Sequence, residues 1–260
     1  MAKDIIKVKT SNGAIEMDAN ATDVSIATSN NHIKGVFTAT KYANIQSTSG
    51  YIDVQVRCPK IKVGTTNGPV SGLFSGNDVS IKTTNAKMNS INVMGHDIKV
   101  QTSNGRIEGD FTAAKNITLK TSNSTVESNC RLEEVGGDIS ISTSNGSVSG
   151  NYEAPGGDID ISTNNAKIIP TKLVGRRIKL VTSNSSIRAA AMIGQSIKAT
   201  TSHSPVELNL SLDDSDKKVD VYAETSHSAV NVRLVSVKNR LNKFSFPRCL
   251  FSPLPGLISA

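Results

Sequence analysis

The chain of 260 residues has no tryptophan, and aromatic residues make up only 4% of it. A compact globule with a single centre carries more aromatic mass, so a thin core of Ile, Val and Leu is expected. No run of 18 apolar residues occurs, which excludes a membrane-spanning helix. The N-terminus has no charged segment leading into an apolar stretch, so no secretory signal is read there. A cytoplasmic location is the expectation unless the N-terminus is incomplete. Cysteine is sparse as well. Cys58, Cys130 and Cys249 are far apart, odd in number and without metal-ligand spacing. That pattern describes neither a disulfide framework nor a zinc site, and it suits free thiols of a reduced compartment.

Acidic residues are missing from the C-terminal end, since every Asp and Glu lies at or before Glu224. Lys238, Arg240, Lys243 and Arg248 follow residue 234, so the net charge of +7 divides into +4 for the tail and +3 for the rest. The basic balance is largely a property of the tail, which weakens a polyanion-binding reading of the remainder. The segment 235–260 also holds three of the eight Pro and three of the six Phe. It is read as a separate basic, Pro/Phe-rich tail: disordered, capping the last coil, touching an anionic membrane, or a gene-model artefact.

What the chain has instead is repetition. An apolar-x-apolar-x-Thr-Ser-Asn-Gly-x-apolar phrase returns twelve times, first as Ile6 to Ile15 and later as Ile98 to Ile107. Its Asn position falls at Asn12, Asn30, Ser49, Asn67, Asn85, Asn104, Asn123, Asn145, Asn165, Asn184, His203 and His227. A period of about 19 residues is the signature of stacked repeats. Pairs such as Val79 and Ile81 alternate with polar residues, the pattern of a half-buried strand. Asn-Gly then signals a turn, because both residues tolerate positive φ. A second strand is expected to start at Ile15, Ile33, Ile52, Val70, Met88, Ile107, Val126, Val148, Ile168, Ile187, Val206 and Val230. The fold expected for residues 1–234 is an all-β, single-chain parallel β-solenoid of about twelve coils. Such a rod would be on the order of 55 Å long.

The Thr of each phrase has the inward parity of the apolar strand residues. The Asn column is read as a ladder of amides bonded from coil to coil and buried with the Thr. On that reading Asn104→Leu would cost roughly 1–3 kcal/mol through unpaired neighbours. The alternatives for these columns, an ice-binding Thr array or a repeated metal site, lack a flat outward Thr grid. Six Asn-x-Ser/Thr sequons occur, at Asn20, Asn116, Asn123, Asn145, Asn184 and Asn209. Three are ladder positions, where burial would block glycosylation.

Outward positions of the first strand carry Lys7, Lys9, Lys62, Lys82, Lys99, Lys120, Lys179 and Lys198, the candidate binding face. The second strand leans acidic outward, with Glu16, Asp53, Glu108, Glu127 and Glu207. Either the lysines dock an anionic partner, or they keep the rod soluble and unassociated. No aromatic platform accompanies them, so no specific nucleic-acid signal is present. Asp23, Asp78, Asp97, Asp138, Asp158 and Asp220 precede the first strands and are read as shaping the turn into each. The histidines His32, His96, His203 and His227 are open to a metal site or a pH-sensitive stack, or simply replace Asn in the ladder. No catalytic, metal-binding or cofactor-binding residues are assigned.

The Ile-x-Val-x-Thr-Ser-Asn-Gly-x-Ile element, with the variants Gly136 to Ile139 and Gly156 to Ile159, resembles the adhesin-like domains of unknown function found in bacteria and fungi. The resemblance covers roughly residues 3–234. It implies a parallel β-solenoid and an adhesin-like role, and it brings no catalytic residues. The function expected is therefore a non-enzymatic binding or structural module for an extended partner such as a glycan, a surface polymer or another protein. An intracellular scaffold for polyanions is the alternative. A carbohydrate-active β-helix enzyme would need clustered Asp or Arg, long loops and aromatic subsites, which the sequence does not show.

Overall fold

The computed structural model describes residues 4–212 and 219–236. Every regular element among them is a strand, and all nineteen join one continuous parallel sheet. The chain is a β-solenoid. Ile15, Ile33, Ile52, Val70, Met88, Ile107, Val126, Val148, Ile168, Ile187, Val206 and Val230 stand directly over one another. Eleven parallel pairings link these twelve positions, so the expected coils are present and the rod makes about eleven full turns. The last strand runs Val230–Ser236. The tail from residue 237, with Cys249, lies outside the described residues, and so does most of the Leu210 to Lys218 connection.

A coil can be followed from the strand Asp78–Lys82. It enters the corner Thr83 to Ala86 and continues into the strand Met88–Gln101, which includes the first strand of the next coil. Isoleucine and valine fill the inside because alternate residues of a strand share a face. Ile81, Val100, Leu119 and Ile141 form one such fully buried column. The Thr column is inward, as its parity predicts. Thr102 Oγ1 accepts the Gly105 N–H at 3.0 Å and donates to the Thr84 carbonyl at 3.3 Å. Each such hydroxyl therefore ties its own corner and the neighbouring coil at once.

The Asn ladder exists, but on the other side of the wall. Asn67, Asn85, Asn104, Asn123, Asn145, Asn165 and Asn184 form a run in which each Nδ2 donates to the previous Oδ1 at 2.6–2.8 Å. Asn12 and Asn30 form a separate pair at 2.7 Å, isolated by Ser49. All nine are exposed, which corrects the expected burial. Thr, a residue earlier than the corner Ser, keeps the strand parity. The bend that follows turns Asn outward. The burial argument against glycosylation of Asn123, Asn145 and Asn184 falls with it.

The corner glycines also differ in cause from the expectation. Positive φ among glycines is found at Gly35, Gly72, Gly136, Gly150 and Gly156, not at the Asn-Gly corners. A Cβ on Gly105 would sit 1.8 Å from the Ala86 carbonyl oxygen of the coil beneath. The corner residue is small because coils approach closely there.

The third segment of each coil holds the buried aromatic rings, Phe37, Phe74, Phe111 and Tyr152. Ala19, Phe37, Val56, Phe74, Val93, Phe111, Cys130, Tyr152 and Leu173 stack in one inward column. Aromatic rings alternate with smaller side chains from Phe37 to Tyr152, and each ring is at most 1% exposed. Large beside small is how close packing fills a column whose coils are only about 4.8 Å apart. Partly buried apolar residues appear at the ends, with Ile6 and Val8 in the first coil and Val221, Ala223, Val230, Val232 and Leu234 in the last.

Candidate functional site

The register splits the expected lysine column into two adjacent lanes of the same outward face. One lane runs Lys7, Ser25, Asn44, Lys62, Ser80, Lys99, Thr118, Ser140, Asp160, Lys179, Lys198, Tyr222. The other carries Lys9, Lys82 and Lys120, with Gly64 and Gln101 between its central rungs. Parity explains the split: residues two apart in one strand point the same way. Lys179 is engaged, with Nζ 2.9 Å from Asp160 Oδ2. Lys198 lies over the Tyr222 ring at 5.3 Å. Among the described residues, Lys62, Lys82, Lys99 and Lys120 are exposed and make no ion pair.

Four bands therefore lie side by side across this face. An acidic edge comes first, then the two lysine lanes, then the corner hydroxyls such as Thr66, Thr84 and Ser103, then the amide ladder. In the ladder each Asn uses one N–H and one lone pair, leaving one of each for solvent or a ligand.

The Asp residues that precede the first strands form the acidic edge. Asp78, Asp97 and Asn116 are stacked in register. Asn116 Nδ2 donates to Asp97 Oδ1 at 2.7 Å, and Asn116 Oδ1 accepts from the Asp138 N–H at 3.3 Å. Asp138 in turn accepts the Asp158 N–H at 3.1 Å. Asp158 is gripped by Arg177 and, at 3.1 Å, by Arg176. The Arg177 bond foremost, then Arg176, holds the Asp158 carboxyl below its ordinary value against the opposing effect of burial. These carboxylates close turns and bind neighbouring coils, as their place before each strand suggests.

The second-strand acids share one lane as expected: Glu16, Asp53, Glu108, Glu127 and Glu207 each follow one of the stacked apolar positions, with Lys34 between Glu16 and Asp53 and Glu108 paired directly with Glu127. Arg106 bridges Glu108 and Glu127, and Arg188 Nε donates to Glu207 at 2.7 Å. An open hollow of about 740 Å³ over the last coils is bordered by this same Arg188–Glu207 pair.

Of the four histidines only His203 and His227 come together, and His96 lies apart with Nδ1 2.7 Å from Asp97 Oδ2. His32 stacks on Tyr51 at 4.8 Å and its Nε2 lies 2.6 Å from Glu16 Oε1, which holds Glu16 below its ordinary value. His203 and His227 stack face to face, 5.0 Å between ring centroids. They continue the corner column by ring contact where the Asn bonds end. No group of three or more metal-ligating side chains occurs among the described residues. No helix there is long and apolar enough to cross a membrane.

The fold and this face define a parallel β-solenoid with a banded polar wall. Compared with known protein families, curated proteins and solved structures, the chain matches none.

Proposed function

We propose that the protein is a non-enzymatic, adhesin-like binding module that holds an extended partner, a glycan or surface polymer, along its first-strand face. One observation carries the reading. From Lys62 to Ser142 the two lysine lanes run through five coils with no acidic residue, beside an unbroken, exposed amide ladder. A site for a compact ligand would gather its polar groups at one place. Here equivalent groups recur at every coil, about 4.8 Å apart, which suits a polymer. Individual exposed charges contribute little, so binding would draw on many weak contacts in series.

A polymer array probed with the wild-type chain and the Lys82→Gln/Lys99→Gln variant tests the reading. A polymer bound by the wild type and lost by the variant supports it. Binding that ignores the variant would move the interaction off this face. The lysine lanes also favour a second reading, a scaffold for polyanions of any kind. That reading predicts equal binding of polyanions of unrelated backbone at matched charge, falling steeply with salt.

A further inference from the structure

We infer that the partner is a linear polyuronate, a polysaccharide with one carboxylate per sugar, lying along the coils that carry Lys62, Lys82, Lys99 and Lys120. The inference rests on the reading of this face as polymer-binding, and it names the chemistry of the polymer.

The four lysines alternate between lanes on four successive coils. Lys62 and Lys99 share one lane, with Ser80 between them. Lys82 and Lys120 share the other, with Gln101 between them. Successive coils are about 4.8 Å apart and residues two apart in a strand about 6.6 Å, so each lysine stands roughly 8 Å diagonally from the next. The result is a zigzag with one cation per coil. Ser80, Gln101, Gly64 and Thr118 occupy the remaining rungs and are neither bulky nor acidic. None of these four ammonium groups forms an ion pair among the described residues.

A two-fold ribbon of 1,4-linked pyranoses has the complementary layout. Each sugar advances about one coil, and successive carboxylates project from alternate edges. Laid along the rod, such a chain offers one carboxylate to each lysine, left and right in turn. Its hydroxyls then border the corner hydroxyls and the amide ladder, where Asn67, Asn85, Asn104 and Asn123 each keep a free N–H and a free lone pair. Hydroxyl groups both donate and accept, so a sugar uses what a plain polyanion would leave unmatched.

The opposite border limits width. Asp97 lies two residues before Lys99 and Asp78 two before Ser80, on the same outward parity. That acidic edge repels a second row of anions, which disfavours a duplex and favours a single chain. Single-stranded nucleic acid would want aromatic rings to stack on. The rings of Phe74 and Phe111 on these coils are buried.

The test is calorimetric titration of the full chain with a β-1,4-linked mannuronate octamer at low salt. Three comparison probes accompany it: neutral β-1,4-mannan, hyaluronan of equal length with a carboxylate on every second sugar, and an oligothymidylate. The mannuronate should bind, the mannan should not, and hyaluronan and oligothymidylate should be at least tenfold weaker. Lys82→Gln/Lys99→Gln should lose at least tenfold for mannuronate. Lys172→Gln, whose Nζ lies 2.7 Å from Glu153 on another face, should lose none. Equal thermal melting of the variants would show that the fold is intact. Hyaluronan or oligothymidylate binding as tightly as mannuronate would overturn the polyuronate, as would mannuronate binding untouched by the double substitution. If a different polymer from the array is lost on that substitution, the face still binds polymers and only the uronate is wrong. If no polymer is sensitive to it, both readings fall.

Discussion

Thr102 and Asn104 are two residues apart on one corner and face opposite media. Thr102 is buried, bonded at once to Gly105 and to the Thr84 carbonyl of the coil beneath. Asn104 stands in solvent, donating to Asn85 and accepting from Asn123.

Their substitutions should therefore differ in cost, in the reverse of the order that a buried Asn ladder implies. Thr102→Val leaves the buried Gly105 N–H without its partner, while the Thr84 carbonyl keeps the Ser103 and Asn104 N–H donors, so the cost is about 1–3 kcal/mol. Asn104→Leu removes two bonds that water can replace, so about 1 kcal/mol or less is expected. Chemical denaturation of both variants checks the order. An Asn104→Leu cost exceeding that of Thr102→Val would mean that the ladder carries the stack.

The period, the strand parity and the start of every second strand were readable in the sequence, because apolar alternation and the Thr-Ser-Asn phrase mark them directly. The outward turn of Asn was not, since residue spacing does not reveal where a corner abandons strand parity. The aromatic column of Phe37, Phe74, Phe111 and Tyr152 was hidden for a different reason. Its segment absorbs the variation in coil length, with register shifts at Val70/Gly72, Ala113/Asn116 and Ala154/Asp158. The two lysine lanes were within reach of the sequence, since Lys62 stands three residues before Thr65 and Lys82 one before Thr83, but parity alone groups both as outward.

Gly150 sits in one of those irregular segments, with φ at 130°. A Cβ there would lie 1.8 Å from the Ser128 carbonyl oxygen of the coil beneath. Gly150→Ala should cost at least about 2 kcal/mol, since backbone strain and the clash add. Gly136 also has positive φ, at 94°, yet nothing lies within 4 Å of its Cβ position. Gly136→Ala should cost only the strain, about 1 kcal/mol. Thermal melting of the pair separates close approach from φ. Equal losses would show that the coils can spread at Gly150.

Cys130 is packed between the Phe111 and Tyr152 rungs, and burial pushes its thiol up to about 12. Burial raises Cys58 as well. At pH 8 a group near 12 would be thiolate in only about one molecule in ten thousand, and alkylation needs the thiolate. In a Cys249→Ser background, iodoacetamide should therefore modify Cys58 and Cys130 only as the core opens. The rate should rise with denaturant along the unfolding curve. Labelling in the native state at the rate of a free thiol would mean that the core around these residues is not closed.

Asp158 gives the rod an acid-sensitive joint. Its carboxyl is held below the ordinary aspartate value of 3.8, chiefly by Arg177 and then by Arg176. A depressed folded value means that the unfolded chain binds the proton more readily. The contribution is thus fully present above 3.8 and disappears as the pH falls through the lowered value. The side chain is about one-fifth exposed and both arginines are half exposed or more, so solvent screening keeps the gain modest. Asp158→Asn should lower the melting temperature at pH 7, and the gap from the wild type should shrink steadily below about pH 4. Melting curves of both proteins from pH 7 to pH 2 measure it. A gap that shows no narrowing as the pH falls would trace the loss to the turn that Asp158 shapes and not to its ion pairs.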